Sequence, residues 1–145
     1  MSRDLKKEKQ LWEKSKTYLG HDPNITLGKV FTNQLNVGHL AFTLSRYHFV
    51  GRLLERKSKI SVLELGCGEG IGSLASLKNI VQYLLCVDFD EEAISYAKEN
   101  IKIDNIKFIC DDFLDKQYGT FDAVVSIDVI EHLNPNKEDK FLSTI

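Results

Sequence analysis

The chain has 145 residues, 43% hydrophobic and 28% charged, with a net charge of -2. That is one soluble domain of ordinary size, without the basic excess of a protein whose main task is gripping nucleic acid. No apolar run approaches the ~20 residues of a membrane span, and "MSRDLKKEKQLWEKSK" lacks the apolar core of a signal peptide. A cytoplasmic protein with neither a membrane nor a nucleic-acid partner is expected. Cys67, Cys86 and Cys110 form no CxxC pair and read as free thiols of a reducing compartment.

Residues 3–19 mix Lys and Glu with Leu5, Leu11, Trp12, Tyr18 and Leu19, the pattern of an amphipathic helix. "GHDPN", 20–24, reads as a turn. Apolar residues at 40, 42, 44, 47, 49, 50, 53 and 54 predict a long helix ending near Lys57, with basic residues at its C-terminal end. Residues 1–57 are therefore expected to form a helical segment that packs on, or lids, the remainder.

From residue 58 the rhythm changes. "KISVLEL" predicts a strand, "IGSLASLKNI" a helix, "QYLLCVDF" a strand and "DEEAISYAKENIK" a helix with an acidic first turn. "IKFIC" and "FDAVVSIDV" predict two more strands, and "NPNKEDKFLSTI" a last helix with Pro135 near its start. Strands alternating with helices imply an α/β domain, 58–145, with a parallel sheet covered on both faces. Its near-continuous apolar strands agree with two-sided burial.

"VLELGCGEG", residues 62–70, runs from the first strand into glycines at 66, 68 and 70. In an open α/β sheet ligands bind beyond the carboxyl ends of the strands, and glycine permits tight turning and close approach of a ligand to the backbone. A dinucleotide fingerprint, GxGxxG, would need glycine at 71, where the chain has Ile71. The strand ends carry Glu64, Glu69, Asp88, Asp90, Asp111, Asp112, Asp128 and Glu131. Two like charges ~4 Å apart repel by about 4 kcal/mol at an effective dielectric of 20, so such a rim opposes a pyrophosphate. It suits a ligand with positive groups and free hydroxyls. S-adenosyl-L-methionine, with a sulfonium, an ammonium and a ribose diol, is one.

In this order and spacing, "VLELGCGEG", "CVDFD", "CDDF" and "FDAVVSIDVIEHL" resemble the class I S-adenosylmethionine-dependent methyltransferases. The nearest flavour is the small-molecule branch that includes ubiquinone-biosynthesis O-methyltransferases, and the resemblance covers about residues 60 to 135. It implies a Rossmann-like, doubly wound sheet in the order 3-2-1-4 for the strands present. It implies methyl transfer to a small molecule, by preference at oxygen, since no NPPY-like tetrapeptide follows the fourth strand. It also implies site roles. Glu64 would reach the methionine end through water, and Gly66, Cys67 and Gly68 would lie against that end. Asp88 would take both ribose hydroxyls, and Phe89 would pack on the adenine or ribose. Asp111 would accept from the adenine amino group, with Asp112 and Phe113 framing the ring. Ser126 to Asp128 would lie under the sulfonium, and the upstream helix would bring Arg46, Tyr47 or Phe31 near the cofactor.

Other acids have plainer roles: Asp90, Glu91 and Glu92 sit where acids stabilise a helix start. For Asp128, Glu131 and His132, at i, i+3 and i+4 of one expected turn, three readings stand. These are an acid/base group with His132 as the base, a divalent-metal site and a structural cap. No resident metal is expected. The family's sheet has seven strands where four are expected here. The reading is therefore a cofactor half with much of the substrate half missing, or a homodimer covering the open edge. A non-catalytic cofactor-binding module is the alternative to an enzyme.

Overall fold

The computed structural model describes residues 7, 9, 10, 37–57 and 59–145. Residues 7, 9 and 10 are helical; the rest of the expected helix 3–19, the turn 20–24 and Phe31 lie outside the described residues. Helix α1 spans Val37–Leu54. Strands β1 (Ile60–Leu65), β2 (Val81–Asp88), β3 (Ile106–Cys110) and β4 (Ala123–Val125) alternate with helices α2 (Ile71–Ser76), α3 (Glu91–Asn100) and α4 (Glu138–Thr144). The strands form one parallel sheet in the order β3-β2-β1-β4, the order expected.

Side chains alternate across the sheet, and each face builds its own core. Val62, Leu84, Cys86, Ile106, Phe108 and Val125 face Leu77, Ile94 and Ala97, with Val50 and Leu54 of α1 against them. Leu63, Leu65, Leu85 and Val87 face Phe113 and Phe141, whose rings meet edge to face at 6.0 Å. Leu65, Leu77 and Leu84 are fully buried, each contributing about 1.5–3 kcal/mol.

Helix α2, strand β4 and the last helix, which begins at Glu138 after a 3-10 turn at Pro135–Lys137, are shorter than expected. Helix α2 stops at Ser76 because Ile80 N–H turns back to the Leu77 carbonyl (2.9 Å) and β2 begins at once. At the start of β4, Asp122 is tied to β1 through Ser61: Asp122 N donates to the Ser61 carbonyl at 3.0 Å, and the Asp122 carboxylate accepts from Ser61 N (2.8 Å) and Ser61 Oγ (2.7 Å). Helix α3 starts where its cap dictates, with the Asp90 carboxylate accepting from Glu92 N (3.1 Å) and Ala93 N (3.3 Å).

The sheet buries one carboxylate at its centre. Glu64, 1% exposed, faces the side covered by α1 and α2. An unsolvated carboxyl needs donors, and Glu64 has three: Tyr47 Oη of α1 (2.7 Å), Ser73 Oγ of α2 and Cys86 Sγ of β2 (3.7 Å). Burial pushes the Glu64 carboxyl above its ordinary value, and the bonds from Ser73, Tyr47 and Cys86 offset only part of that.

A raised value in the folded chain means that Glu64 keeps its proton after the unfolded chain has released it. The stability this supplies is present below the unfolded value, about 4.3, and is lost as pH rises through the folded one. Urea unfolding from about pH 4 to about pH 7 should therefore show the native chain losing ground, as pH rises, to a Glu64→Gln variant that cannot titrate there. A stability difference that stays constant with pH would remove Glu64 as the titrating group.

Candidate functional site

The carboxyl ends of the four strands bring the candidate residues into one row. β1 runs level with β2, Leu65 opposite Val87, and β2 runs level with β3, Asp88 opposite Cys110. The residues after Leu65, Asp88, Cys110 and Val125 therefore emerge on the same rim. The loop leaving β1 is tied down first: Gly66 N and Cys67 N both donate to the Val87 carbonyl, at 2.8 and 3.3 Å. The backbone then takes positive φ at Gly66 (81°), Gly68 (53°) and Gly70 (73°), and α2 follows at Ile71. Three left-handed residues in five positions are open to glycine at small cost.

The glycines differ in what lies beside them. A Cβ on Gly66 would lie 2.1 Å from Val129 Cγ2, and one on Gly70 2.6 Å from the Phe108 ring. Those two let neighbouring side chains press on the loop. Among the described residues Gly68 has no atom within 4 Å of that position; its face is open there, where a ligand can lie on the backbone.

Asp88 closes the loop from β2. It is 8% exposed; one oxygen accepts from Gly68 N at 2.7 Å and the other from Asp90 N at 2.9 Å. Its carboxylate is thereby aimed at the loop. Phe89 beside it is half-buried. From β3, Asp111 N donates to the Asp88 carbonyl at 2.9 Å. The Asp111 carboxylate accepts from Lys116 Nζ and from Tyr118 Oη (2.9 Å). Burial pushes Asp111 up, but the Lys116 and Tyr118 bonds and the Lys116 charge outweigh it and hold the carboxyl below its ordinary value. Asp112 accepts from Leu114 N at 3.3 Å. Phe113 is buried in the second core, its ring edge to face with Phe141. Ser126 Oγ donates to the Leu65 carbonyl at 2.9 Å, which fixes the end of β4 to the end of β1.

Helix α1 reaches the same rim with Arg46, which pairs with the Asp128 carboxylate. The Arg46 guanidinium keeps a buried Nε with no acceptor among the described residues. Asp128 itself has φ 56°, and only Ile130–His132 form a turn, of 3-10 type. The expected helical turn carrying Asp128, Glu131 and His132 on one side is thus corrected: a left-handed residue interrupts it, and Asp128 faces Arg46 instead. Glu131 and His132 are exposed. No group of three metal-binding side chains occurs among the described residues. No helix of the described residues is long and apolar enough to cross a membrane.

Two partners were not foreseeable from spacing. Ser73, in the first turn of α2, carries no periodic signal, and Cys86 is indistinguishable from core. The one available cue was Glu64 itself: a carboxylate in a buried strand demands donors on the elements that cover it.

The family model described as "Methyltransferase domain" matches residues 62–145, more than half of the chain. Ribosomal protein L11 methyltransferase of Thermotoga petrophila is 38% identical over 68 residues, 46% of this chain and 26% of that protein. The mitochondrial ubiquinone biosynthesis O-methyltransferase of Saccharomyces cerevisiae is 34% identical over 113 residues, 63% of this chain and 36% of that protein. The chain thus spans about a quarter to a third of the length of these curated relatives. Among solved structures, phosphoethanolamine N-methyltransferase 1 of Haemonchus contortus, crystallised with phosphoethanolamine and S-adenosylhomocysteine, superposes with a TM-score of 0.72 at 19% identity. That match covers 98% of this chain and 29% of that one, and is a likeness of fold. With its sheet order, its glycine loop and a family match over most of the α/β core, the chain belongs to the methyltransferase-domain family, the class I S-adenosylmethionine-dependent methyltransferases that its motifs resemble.

Proposed function

We propose that the rim of the sheet binds S-adenosylmethionine and that the protein transfers its methyl group to a small molecule, at an oxygen atom. The observation that carries this reading is the pairing of Asp88 with the open face of Gly68, a carboxylate and a bare stretch of backbone 2.7 Å apart. The residues fit such a group. Gly68 leaves room for a chain of ligand atoms against the backbone. A carboxylate such as Asp88 is the natural acceptor for a diol, and the buried Nε of Arg46 wants an acceptor such as a carboxylate. When bound, the cofactor supplies an electrophilic methyl carbon on a cationic sulfur.

The chain's own residues then hold and shield. Asp88 would accept from both ribose hydroxyls. Gly66, Cys67 and Gly68 would lie along the methionine end, with Arg46 at its carboxylate. Phe89 and Asp112 would border the adenine, with Asp111, held by Lys116 and Tyr118, beside it. Ser126 would lie beneath the sulfur. Positioning of the acceptor within ~3 to 3.5 Å of the methyl carbon supplies most of the rate. A base is needed only for a protonated acceptor, and His132 at the exposed end of the β4 loop is the candidate.

The small-molecule acceptor and the oxygen target are supported by the longer alignment, 113 residues, to the ubiquinone O-methyltransferase. The 38% match to the L11 enzyme favours a second reading, with a protein acceptor. Methyl transfer to a panel of catechols and phenols, against a panel of ribosomal proteins, separates the two.

Calorimetric titration should show S-adenosylhomocysteine binding and NAD failing to bind; NAD binding alone would reject the reading. Asp88→Asn removes the charge while leaving an acceptor for Gly68 N. It should weaken S-adenosylhomocysteine binding at least tenfold, since a hydrogen bond to a charged group contributes about 1.5–3 kcal/mol. An unchanged affinity would take Asp88 out of the site.

A further inference from the structure

Helix α1 is seated on α2 with almost nothing between the two backbones. A Cβ on Gly72 would lie 2.2 Å from Tyr47 Cε2, so the tyrosine ring occupies the space that a side chain would need. One turn further along α1, a Cβ on Gly51 would lie 3.1 Å from the Ser76 carbonyl oxygen. Through this seat the Tyr47 hydroxyl reaches Glu64 Oε1 at 2.7 Å, while Ser73 holds Oε2. Tyr47 is 6% and Glu64 1% exposed. Both oxygens of the carboxylate are thus engaged by the two helices that flank the loop, and the group has no face on solvent.

The connection continues to the loop. Ser73 follows Gly70, the last left-handed glycine, by three residues. Leu74 N donates to the Gly70 carbonyl and Gly70 N to the Cys67 carbonyl, at 2.9 and 3.0 Å. Movement of the first turn of α2 is therefore passed directly to residues 67–70.

We infer that Tyr47 and Glu64 form a latch that positions the glycine loop: Glu64 acts on the ligand through the elements it joins, and Tyr47 is the positioning residue that couples α1 to the loop. Seating of α1 and ordering of residues 66–74 are then one event. The effect on ligand affinity rests on the proposed cofactor reading, but the coupling itself belongs to the ligand-free chain.

Tyr47→Phe keeps the ring over Gly72 and removes only the hydroxyl. Hydrogen exchange followed by mass spectrometry on the ligand-free protein should show faster exchange in two peptides together, residues 41–54 and residues 66–74, by about fivefold or more. Exchange in β2 and β3 should stay at the native rate. S-adenosylhomocysteine affinity should fall about tenfold in the same variant, because the loop loses one of the bonds that seat it. Glu64→Gln, which keeps an acceptor for Tyr47, should retain most of the loop protection, whereas Glu64→Leu should lose it.

Faster exchange confined to 41–54, unchanged exchange in both peptides, or native loop protection in Glu64→Leu would each overturn the latch. A native chain that binds no S-adenosylhomocysteine would overturn the cofactor reading alone, since the exchange experiment still decides the coupling.

Discussion

The constraint on which the rest depends is the turn from β1 into α2. In five residues the chain must leave a buried parallel strand, reverse, and start a helix, and it does so with left-handed backbone at Gly66, Gly68 and Gly70. A residue with a Cβ pays about 1–2 kcal/mol at such a position, before the contacts with Val129 and Phe108 are counted. Because the turn is fixed, the amide of Gly68 points at Asp88 and an open strip of backbone lies beside it. Every element added around the rim, the β4 loop through Val129 and the upstream helix through Tyr47, closes on this turn.

Much of that architecture was legible because it is written in local chemistry. Continuous apolar runs marked the strands, and β3 falls on Ile106–Cys110 as read. Asp90 was readable as a cap because a helix start needs acceptors for its free amides. What escaped the reading was made by tertiary bonds. The ends of β4 are tied to β1 by side chains, Asp122 to Ser61 and Ser126 to Leu65. The expected helical turn at 128–132 is broken because Asp128 bends into a left-handed conformation that faces Arg46. Neither pairing leaves a trace in spacing along the chain. Phe113, next to two candidate acids, is part of the core around Phe141.

The rim acids, alike in sequence, divide by environment. Asp90 is spent on α3, Asp111 is held by Lys116 and Tyr118, and Asp128 is paired with Arg46. Glu64 is sealed beneath the loop. The charge presented to a ligand is accordingly smaller than a count of carboxylates implies, and mutual repulsion among them is correspondingly relieved. Asp88 stands apart in that two backbone amides of the rim, Gly68 N and Asp90 N, donate to it. They orient the carboxylate without neutralising it.

Glycine placement, more than charge, therefore sets this loop apart from a dinucleotide site. In the dinucleotide fingerprint the third glycine permits close packing of helix on strand. Here that position is Ile71, and the next residue, Gly72, serves a different contact: it admits the Tyr47 ring of an element upstream of the sheet. A glycine moved by one place on a helix turns by roughly 100° about its axis, from a face toward the strand to a face toward α1. The loop is thus built to receive a helix on one side and a ligand on the other. The hydroxyl that crosses from that helix to Glu64 makes the two sides a single structure.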